Sequence, residues 1–442
     1  MAQKAIREYD GKHMLARLIP EYSGGKVAIV DRYVQVKPDT NLEALASDNP
    51  WLTQTKLVVK PDQLIKRRGK GGLILLNATW EEAKKWLAER MNKEITAGTV
   101  TDALNTFIVE PFVQHDQKDE YYFAIRSVRE GDEILFYHQG GINVGDVDAK
   151  AEKLVAGILG GIDGADVEGK LLKNVPLERK AALADFVRAM FKLYADNGFA
   201  YLEINPIAFV GNTIVPLDLA AKLDDTAAFE CKEKWGDIEF PEAFGKKRTK
   251  EEEYIKSLDE KSGASLKLTI LNPKGRIWTM VAGGGASVIY ADTVVDLGYA
   301  KELANYGEYS GDPTTDETYE YAKTMLDLMT REKDERGKVL IIGGGIANFT
   351  DVAKTFAGII KALKEFKQKL IENKVKIYVR RGGPNYQQGL KQMRELGATL
   401  GVPIEVYGPE THMTRVVKIA LGNENAENRD SRFAIRETKE GQ

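Results

Sequence analysis

The feature that most constrains this chain is a series of four similar segments in its second half, beyond Ser265. Each begins with a short apolar run typical of a buried strand, continues through small residues and ends in a helical pattern. The segments are RIWTMVAGGGASVIYADTVVDLG, KVLIIGGGIANFTDVAKTFAGIIKAL, KIYVRRGGPNYQQGLKQMRELG and PIEVYGPETHMTRVVKIALG. Serial strand–turn–helix units build an open parallel sheet with helices on both faces, and ligands bind at the carboxyl ends of its strands.

The second of these segments carries the strongest signal of a binding site. Its apolar run VLII is followed by Gly343, Gly344 and Gly345 and then by the helical pattern ANFTDVAKTF. Glycine lets the backbone approach a ligand closely, and the start of a helix favours an anion. The stretch is neither a Walker A loop nor a GxGxxG motif. An ordinary turn, with Asn348 or Thr350 as the helix cap, explains the same residues, so this stretch alone leaves both interpretations open.

Length, charge and cysteine content limit the class of protein. The 442 residues are enough for about three domains. No apolar run approaches the roughly 20 residues that a membrane span needs. The 63 basic and 66 acidic side chains give a net charge of −3, which does not favour nucleic acid. The single cysteine, Cys231, suits a reducing compartment. We therefore expect a cytoplasmic protein that binds neither nucleic acid nor membrane.

The first half of the chain carries scattered polar residues suited to a nucleotide. Lys60 and the loop LIKRRGKGG (64–72) offer cations and flexible backbone to a polyphosphate, although a solvated basic hairpin fits equally well. In the string LEINP, Glu203 and Asn205 are two residues apart and therefore lie on one face of a strand. Together with Asp218 they offer oxygens that suit Mg²⁺.

Local patterns predict further elements of the first half. Residues 2–18 and 148–159 have helical patterns, and the alternation in 120–141 indicates a β-hairpin. The polar, charge-rich segment 222–261 is typical of a linker that lies on the surface between domains.

Several longer strings are specific to a known family. The strings NPWLTQTKLVVKPDQLIKRRGK, FIVEPFV, YLEINP, KWGDIEFP and VRRGGPNYQ resemble the N-terminal portion of the ATP-citrate lyase family, and the resemblance extends over about 5–422. LEINP followed by LDLAAK also resembles succinyl-CoA synthetase β subunits. The resemblance implies an α/β protein with an ATP-grasp domain followed by a flavodoxin-like, doubly wound parallel-sheet domain. The implied bounds are 1–240 for the ATP-grasp domain with a hairpin-rich subdomain near 107–220, 241–264 for a linker, 265–422 for the citrate-binding domain and 423–442 for a polar tail.

The resemblance also implies roles for individual residues. Those that would hold ATP are Lys60, Arg68, Gly69, Glu110, Pro111, Val113 and Glu120. Those that would hold Mg²⁺ are Asn205 and Asp218, and those that would bind citrate are Gly311, Asn348, Phe349, Thr350 and Arg381. The catalytic positions facing a phosphohistidine would be Glu203, Gly284 and Gly285. One departure is Gly345, which stands where animal members of the family usually carry serine.

The family's reaction converts citrate, ATP and CoA into acetyl-CoA, oxaloacetate, ADP and phosphate through phosphohistidine, citryl phosphate and citryl-CoA. None of the four histidines of this chain lies in the motif of the phosphorylated one. The resemblance therefore implies a hetero-oligomer whose second subunit carries that histidine, most of the CoA site and a citrate-synthase-like lyase module. Two alternatives stay open, namely the large subunit of a separate citryl-CoA synthetase and a non-catalytic sensor of citrate or nucleotide.

Overall fold

The computed structural model describes residues 3–422, except 66, 67, 70, 142, 143, 146, 211 and 212. The predicted tail 423–442 therefore lies outside the described residues, as does part of the basic loop. The chain divides into two compact units, Met1–Lys247 and Arg248–Gln442. No helix in the described part of the chain is both long enough and apolar enough to cross a membrane.

The first unit is mainly antiparallel sheet with helices packed against it. Its strands are β1 (Gln3–Ile6), β2 (Val34–Val36), β3 (Leu57–Pro61), β4 (Leu75–Ala78), β5 (Glu94–Ala97), β6 (Val100–Ala103), β7 (Phe107–Pro111), β8 (Glu120–Val128), β9 (Gly131–Tyr137), β10 (Glu152–Gly157), β11 (Phe199–Val210), β12 (Thr213–Pro216) and β13 (Leu219–Asp224). Its helices are α1 (Glu8–Tyr22), α2 (Leu42–Asp48), α3 (Trp51–Gln54), α4 (Trp80–Arg90), α5 (Val147–Lys150), α6 (Val167–Leu171), α7 (Leu177–Asp196) and α8 (Ala228–Trp235).

Two sheets of this unit meet around the candidate nucleotide residues. The larger sheet has the order β1-β13-β11-β8-β9-β10, and the smaller has the order β2-β7-β3-β4. Helices α1 and α7 bury their apolar faces against the larger sheet, and α4 packs against the smaller one. The hairpin predicted in 120–141 is confirmed as β8 and β9.

Two helix predictions in this unit are wrong in part, the first at its start and the second over most of its length. Residues 3–6 form strand β1, in which buried Ile6 pairs with Ala221, and the helix begins only at Glu8. In the predicted helix 148–159, strand β10 pairs with β9 and buries Leu154 and Ala156 on one face. Alternate burial is typical of a strand with one exposed face. Pairing with a neighbouring strand therefore outweighed the helical spacing of the local sequence.

The predicted surface linker 222–261 also differs from the structure, because it contains helices α8 and α9 (Lys250–Asp259). Helix α8 buries Cys231 and Trp235 in the core of the first unit, and α9 buries Ile255 in the core of the second. These helices are amphipathic, so their many charged residues occupy the exposed faces and made the segment resemble a linker. The domain bounds themselves stay predictions.

The second unit holds the serial strand–helix segments. Its strands are β14 (Ser265–Ile270), β15 (Ile277–Ala282), β16 (Asn305–Ser310), β17 (Val339–Gly344), β18 (Lys376–Arg380) and β19 (Ile404–Tyr407). Its remaining helices are α10 (Gly284–Val294), α11 (Thr315–Thr330), α12 (Val352–Glu365), α13 (Lys367–Glu372), α14 (Tyr386–Leu400) and α15 (Met413–Ala420).

The predicted doubly wound sheet is confirmed. Parallel strands have the order β15-β17-β18-β19. Strand β16 lies on the other side of β15, where the Asn305 side chain donates to the Thr279 carbonyl and accepts from its N–H, both at 2.9 Å. Helices α11, α12 and α14 cover one face, and α10 and α15 cover the other. The direction of winding therefore reverses between β15 and β17, which is where such sheets bind ligands.

Candidate functional site

Gly343 and Gly344 end strand β17 and Gly345 follows it, and the surroundings of the three glycines differ. A Cβ on Gly343 would lie 2.4 Å from the Tyr290 ring. A Cβ on Gly344 would lie 2.7 Å from Arg381 Nη1 and 2.8 Å from the Ala282 carbonyl oxygen. A Cβ on Gly345 would meet nothing within 4 Å. The first two glycines are therefore required by packing, whereas Gly345 borders open space in which a serine side chain would fit.

The loop between this turn and helix α12 differs from the simple capping interpretation. Helix α12 begins at Val352, and its cap is Asp351, whose side chain accepts from the Lys354 N–H at 3.0 Å. Neither Asn348 nor Thr350 caps the helix, so both precede it in a loop. The loop is thus available to line a site at the strand ends.

A cavity of about 290 Å³ opens at the point where the winding reverses. Its lining residues are Ala282, Gly283, Ala286, Ser310, Gly311, Gly345, Ile346, Ala347, Phe349, Thr350 and Arg381. Four of the five predicted citrate residues are therefore brought together here. The fifth, Asn348, is exposed and does not line the cavity. Gly283 caps helix α10, so the start of that helix and the glycine turn at the end of β17 share one cavity.

Arg381 gives this cavity its positive charge. The guanidinium is buried, and its Nη1 donates to the Gly345 carbonyl at 2.6 Å. Its buried Nε has no hydrogen-bond partner within the described residues. Burial lowers the pKa of Arg381, but a guanidinium stays protonated in proteins, so this charge would stabilise an anion in the cavity. The buried Tyr309 hydroxyl also lacks a partner there, and burial raises the pKa of Tyr309 to about 12.

Two neighbouring residues that the sequence did not single out shape the cavity. Arg380 donates to the carbonyls of Gly344 and Thr411 at 2.8 Å and thereby holds the glycine turn. The carboxylate of Glu308, a residue of β16, lies near the start of α10, where its Oε1 would be 3.2 Å from a Cβ on Gly284. A carboxylate is stabilised by the positive end of a helix. The available signal for Arg380 was its place directly before Arg381 in the string VRRGG.

The candidate nucleotide residues of the first unit centre on Lys60. Its buried Nζ lies 2.7 Å from Glu110 Oε1, 2.7 Å from Glu8 Oε1 and 2.6 Å from the Leu217 carbonyl oxygen. Lys12 Nζ lies 2.7 Å from Glu8 and 2.6 Å from Glu110. Two lysines thus share the same two carboxylates in a buried network.

Arg68 extends this network towards the predicted metal ligands. Its Nη2 lies 2.6 Å from Glu8 Oε2 and also contacts Asp218. Burial alone would raise the pKa of Glu8, but Lys12, Lys60 and Arg68 outweigh it and hold the pKa below its usual range. Glu8 and Lys12 were missed by sequence reasoning, although charged residues four apart on the apolar face of α1 were a usable signal. Gly69 is exposed in the turn after Arg68.

Asn205 and Asp218 are adjacent, as their positions at the ends of two predicted strands indicated. The Asn205 N–H donates to the Asp218 carbonyl at 3.1 Å, and Asn205 Oδ1 accepts from the Gly141 N–H at 2.8 Å. The described residues contain no group of three or more His, Cys, Asp or Glu side chains that could hold a metal. One carboxylate and one amide oxygen nevertheless fit Mg²⁺, which takes its other ligands from phosphate and water. Glu203 lies on the same strand face as Asn205 and accepts from the Tyr201 hydroxyl.

The remaining candidates flank the connection between β7 and β8. Pro111 ends β7, and Glu120 begins β8. Val113 and Glu120 are joined through His115, whose Nδ1 lies 2.7 Å from the Val113 carbonyl oxygen and whose Nε2 lies 2.9 Å from Glu120 Oε1. Contacts thus link the residues predicted to bind the nucleotide, from Lys60 through Asn205 and Asp218 to this connection.

Comparison with known proteins identifies the family of both units. A family model described as the ATP-citrate synthase ATP-grasp domain matches residues 2–235, and one described as ATP citrate lyase citrate-binding matches residues 246–423. Probable ATP-citrate synthase subunit 2 of Schizosaccharomyces pombe is 47% identical, and the match covers 96% of this chain and 98% of that protein. The chain belongs to the ATP-citrate lyase family.

Two further similarities describe how this member of the ATP-citrate lyase family relates to longer and to solved proteins. ATP-citrate synthase of Bos taurus is 55% identical over 425 residues, which is 96% of this chain. The chain spans only 39% of the length of that relative. The structure of ATP citrate lyase from Methanothrix soehngenii in complex with citrate and coenzyme A matches with a TM-score of 0.85 and 56% identity, covering 95% of this chain and 100% of that one.

Proposed function

We propose that this chain is the ATP- and citrate-binding subunit of an ATP-citrate lyase. With a partner subunit it forms citryl-CoA from citrate, ATP and CoA, and the assembly then cleaves citryl-CoA to acetyl-CoA and oxaloacetate. The observation that carries the proposal is the cavity that joins buried Arg381 to the start of helix α10. Such a cavity suits a multiply charged carboxylate that must also receive a phosphoryl group.

Within this proposal, citrate is held by its charge and its shape. The unpartnered Nε of Arg381 bonds a carboxylate of citrate, while Gly311 and Thr350 border it and Phe349 covers it. A carboxylate oxygen then attacks the phosphorus of a phosphohistidine, and the N–P bond breaks as the O–P bond of citryl phosphate forms. The N–H groups at Gly284 and Gly285 stabilise the transferred phosphoryl charge.

The nucleotide is held in the first unit. Lys60 and Arg68 bind its phosphates after exchanging part of their contacts with Glu8 and Glu110, while Asn205 and Asp218 hold Mg²⁺. Bound Mg²⁺ neutralises charge on the phosphates. Glu110, Pro111, Val113, Glu120 and the exposed Gly69 border the nucleotide, and Glu203 faces the histidine that takes up the phosphoryl group.

The histidine and the CoA site belong to the partner subunit in this proposal. No histidine lines the cavity among the described residues. The relative from Schizosaccharomyces pombe, which this chain covers almost completely, is itself named a subunit. We therefore expect CoA to bind mainly to the partner.

An assay of the chain with and without its partner tests the proposal. The purified chain should bind citrate and Mg-ATP but form no acetyl-CoA, and the second subunit should restore citrate cleavage. Robust cleavage by the chain alone would contradict the subunit assignment. A partner that yields citryl-CoA without cleaving it favours the separate synthetase, whereas failure to phosphorylate any partner histidine favours a sensor.

A further inference from the structure

His115 is held between two groups of the candidate nucleotide site but has no role in the proposed function. It lies in the connection between β7 and β8, and its side chain is 15% exposed. Its Nδ1 faces the Val113 carbonyl oxygen at 2.7 Å, and its Nε2 faces Glu120 Oε1 at 2.9 Å. Both neighbours are hydrogen-bond acceptors, so the ring bridges Val113, which follows β7, and the carboxylate of Glu120, which begins β8; both residues are proposed to border the nucleotide.

A proton on Nε2 lets the ring donate to the Glu120 carboxylate, and a second proton on Nδ1 lets it donate to the Val113 carbonyl as well. A neutral imidazole has one N–H, so one of its nitrogens would turn a lone pair towards an acceptor. Only the doubly protonated ring donates to the Val113 carbonyl and to Glu120 together. Hydrogen bonds from a charged donor to a carboxylate are shorter and stronger than neutral ones. His115 therefore fixes the direction of the Glu120 carboxylate.

The other side of Glu120 is also confined. A Cβ on Gly141 would lie 2.4 Å from Glu120 Oε2, so this oxygen lies against bare backbone. The Glu120 carbonyl accepts from the Gly140 N–H at 2.9 Å. His115 thus contacts one oxygen of the carboxylate, and the backbone of Gly141 borders the other.

We propose that His115 is a positioning residue that makes the nucleotide site selective for ribose hydroxyls. It orients Glu120 to accept from the hydroxyls of a ribonucleoside triphosphate, and the inference rests on the proposed nucleotide site. A nucleotide that lacks both hydroxyls gains nothing from this orientation. Removing His115 should therefore weaken binding of ATP and leave binding of 2′,3′-dideoxy-ATP nearly unchanged.

The connection keeps other supports without His115. Arg179 Nη2 lies 2.6 Å from Asp119 Oδ1, and its Nη1 donates to the Tyr121 hydroxyl at 2.9 Å. These bonds anchor both the connection and the start of β8 to helix α7. Substitution of His115 should thus leave the backbone of the connection in place.

Isothermal titration of the full chain with each nucleotide and Mg²⁺ tests the inference. We expect wild type to prefer ATP, and His115→Ala to lose about tenfold in affinity for ATP and less than about twofold for 2′,3′-dideoxy-ATP. His115→Gln can donate to Glu120 and should keep part of the preference. The matched control is Gln114→Ala at the exposed neighbouring position, which should behave as wild type.

The outcomes separate the inference from the proposed function. If folded His115→Ala and His115→Gln weaken both nucleotides equally, or change neither, His115 has no positioning role. If Glu120→Gln keeps the preference for ATP, the ribose contact lies elsewhere, and the inference also fails. If wild type binds neither nucleotide, the proposed nucleotide site fails together with the inference.

Discussion

The two units hold their buried charges in opposite ways. In the first unit, Glu8 and Glu110 contact the cations Lys12 and Lys60 at 2.6 to 2.7 Å, so the charges are paired before any ligand is present. In the second unit, buried Arg381 bonds a carbonyl through one nitrogen and leaves Nε without a partner within the described residues.

Because of this difference, the two sites should affect the stability of the folded protein in opposite directions. A paired network stabilises the fold, and a ligand must take partners away from it. A buried cation without a carboxylate lowers stability until an anion arrives. We therefore expect the paired network around Glu8 to be needed for folding. The unpaired charge of Arg381, in contrast, should lower stability while it increases affinity for an anion.

The largest expected effect is on the first unit. Glu8→Gln should lower the free energy of unfolding by about 3–5 kcal/mol, because it leaves buried cations without their shared carboxylate. Urea denaturation followed by tryptophan fluorescence measures the loss. The matched control is Glu43→Gln, since Glu43 is 81% exposed and pairs with Lys84 at 3.0 Å. The control should lose less than about 1 kcal/mol, and equal losses would contradict the contrast.

Low pH should weaken the same network and so lower the free energy of unfolding. The cations hold the pKa of Glu8 below its usual range in the folded protein, whereas the unfolded chain has an ordinary glutamate pKa of about 4.3. The stabilisation is therefore complete above that pH and is lost as the pH falls towards the folded pKa. Wild type should lose stability between about pH 5 and 3 more steeply than Glu8→Gln, and parallel curves would exclude this linkage.

The second-largest effect, on citrate binding, is expected at Arg381. Arg381→Met should weaken citrate binding by about 1.5–3 kcal/mol, the range for hydrogen bonds to a charged group. Without citrate its melting temperature should equal or exceed that of wild type, because an unpaired buried charge has been removed. Thermal melts with and without citrate measure both quantities. Exposed Arg394→Met is the control, and ATP binding should be unchanged. A variant that keeps the full citrate shift would place the citrate site elsewhere.

A smaller effect is expected at Asp218. Asp218→Asn should weaken Mg-ATP binding by about 1.5 kcal/mol, because the carboxylate side chain is 47% exposed and solvent screens part of its charge. The protein should stay folded, since Arg68 keeps its contact with Glu8. Titration with ADP in the presence and absence of Mg²⁺ measures the metal-dependent part. If Asp218→Asn loses no more affinity in the presence of Mg²⁺ than in its absence, Asp218 is not a metal ligand.

The smallest effect is expected at Gly345. Gly345→Ser should change stability by less than about 0.5 kcal/mol, since its Cβ enters open space. Citrate affinity should change by no more than about 1 kcal/mol. Gly344→Ser is the contrasting variant, because its Cβ would approach Arg381 Nη1 to 2.7 Å and displace the guanidinium. Equal effects of the two substitutions would show that open space at Gly345 has no consequence.

Local patterns in the sequence determined much of the second unit. The four strand–turn–helix segments, the parallel sheet and the position of the glycine turn follow from residues that are neighbours along the chain. The shared strand face of Glu203 and Asn205 follows from the same period-two rule. Such features need no knowledge of distant contacts, because strand and helix periodicity is written within a few residues.

Only the tertiary structure decided which distant residues meet. The contacts of Glu8 with Lys60 and Arg68 join residues that lie 52 and 60 positions apart, and no local pattern specifies them. Pairing with distant strands likewise converted 3–6 and 152–157 from predicted helix to strand. Asn348 does not line the cavity, although Phe349 and Thr350 of the same loop do. Local sequence sets which elements can form, whereas burial and charge pairing across the fold set which side chains share a site.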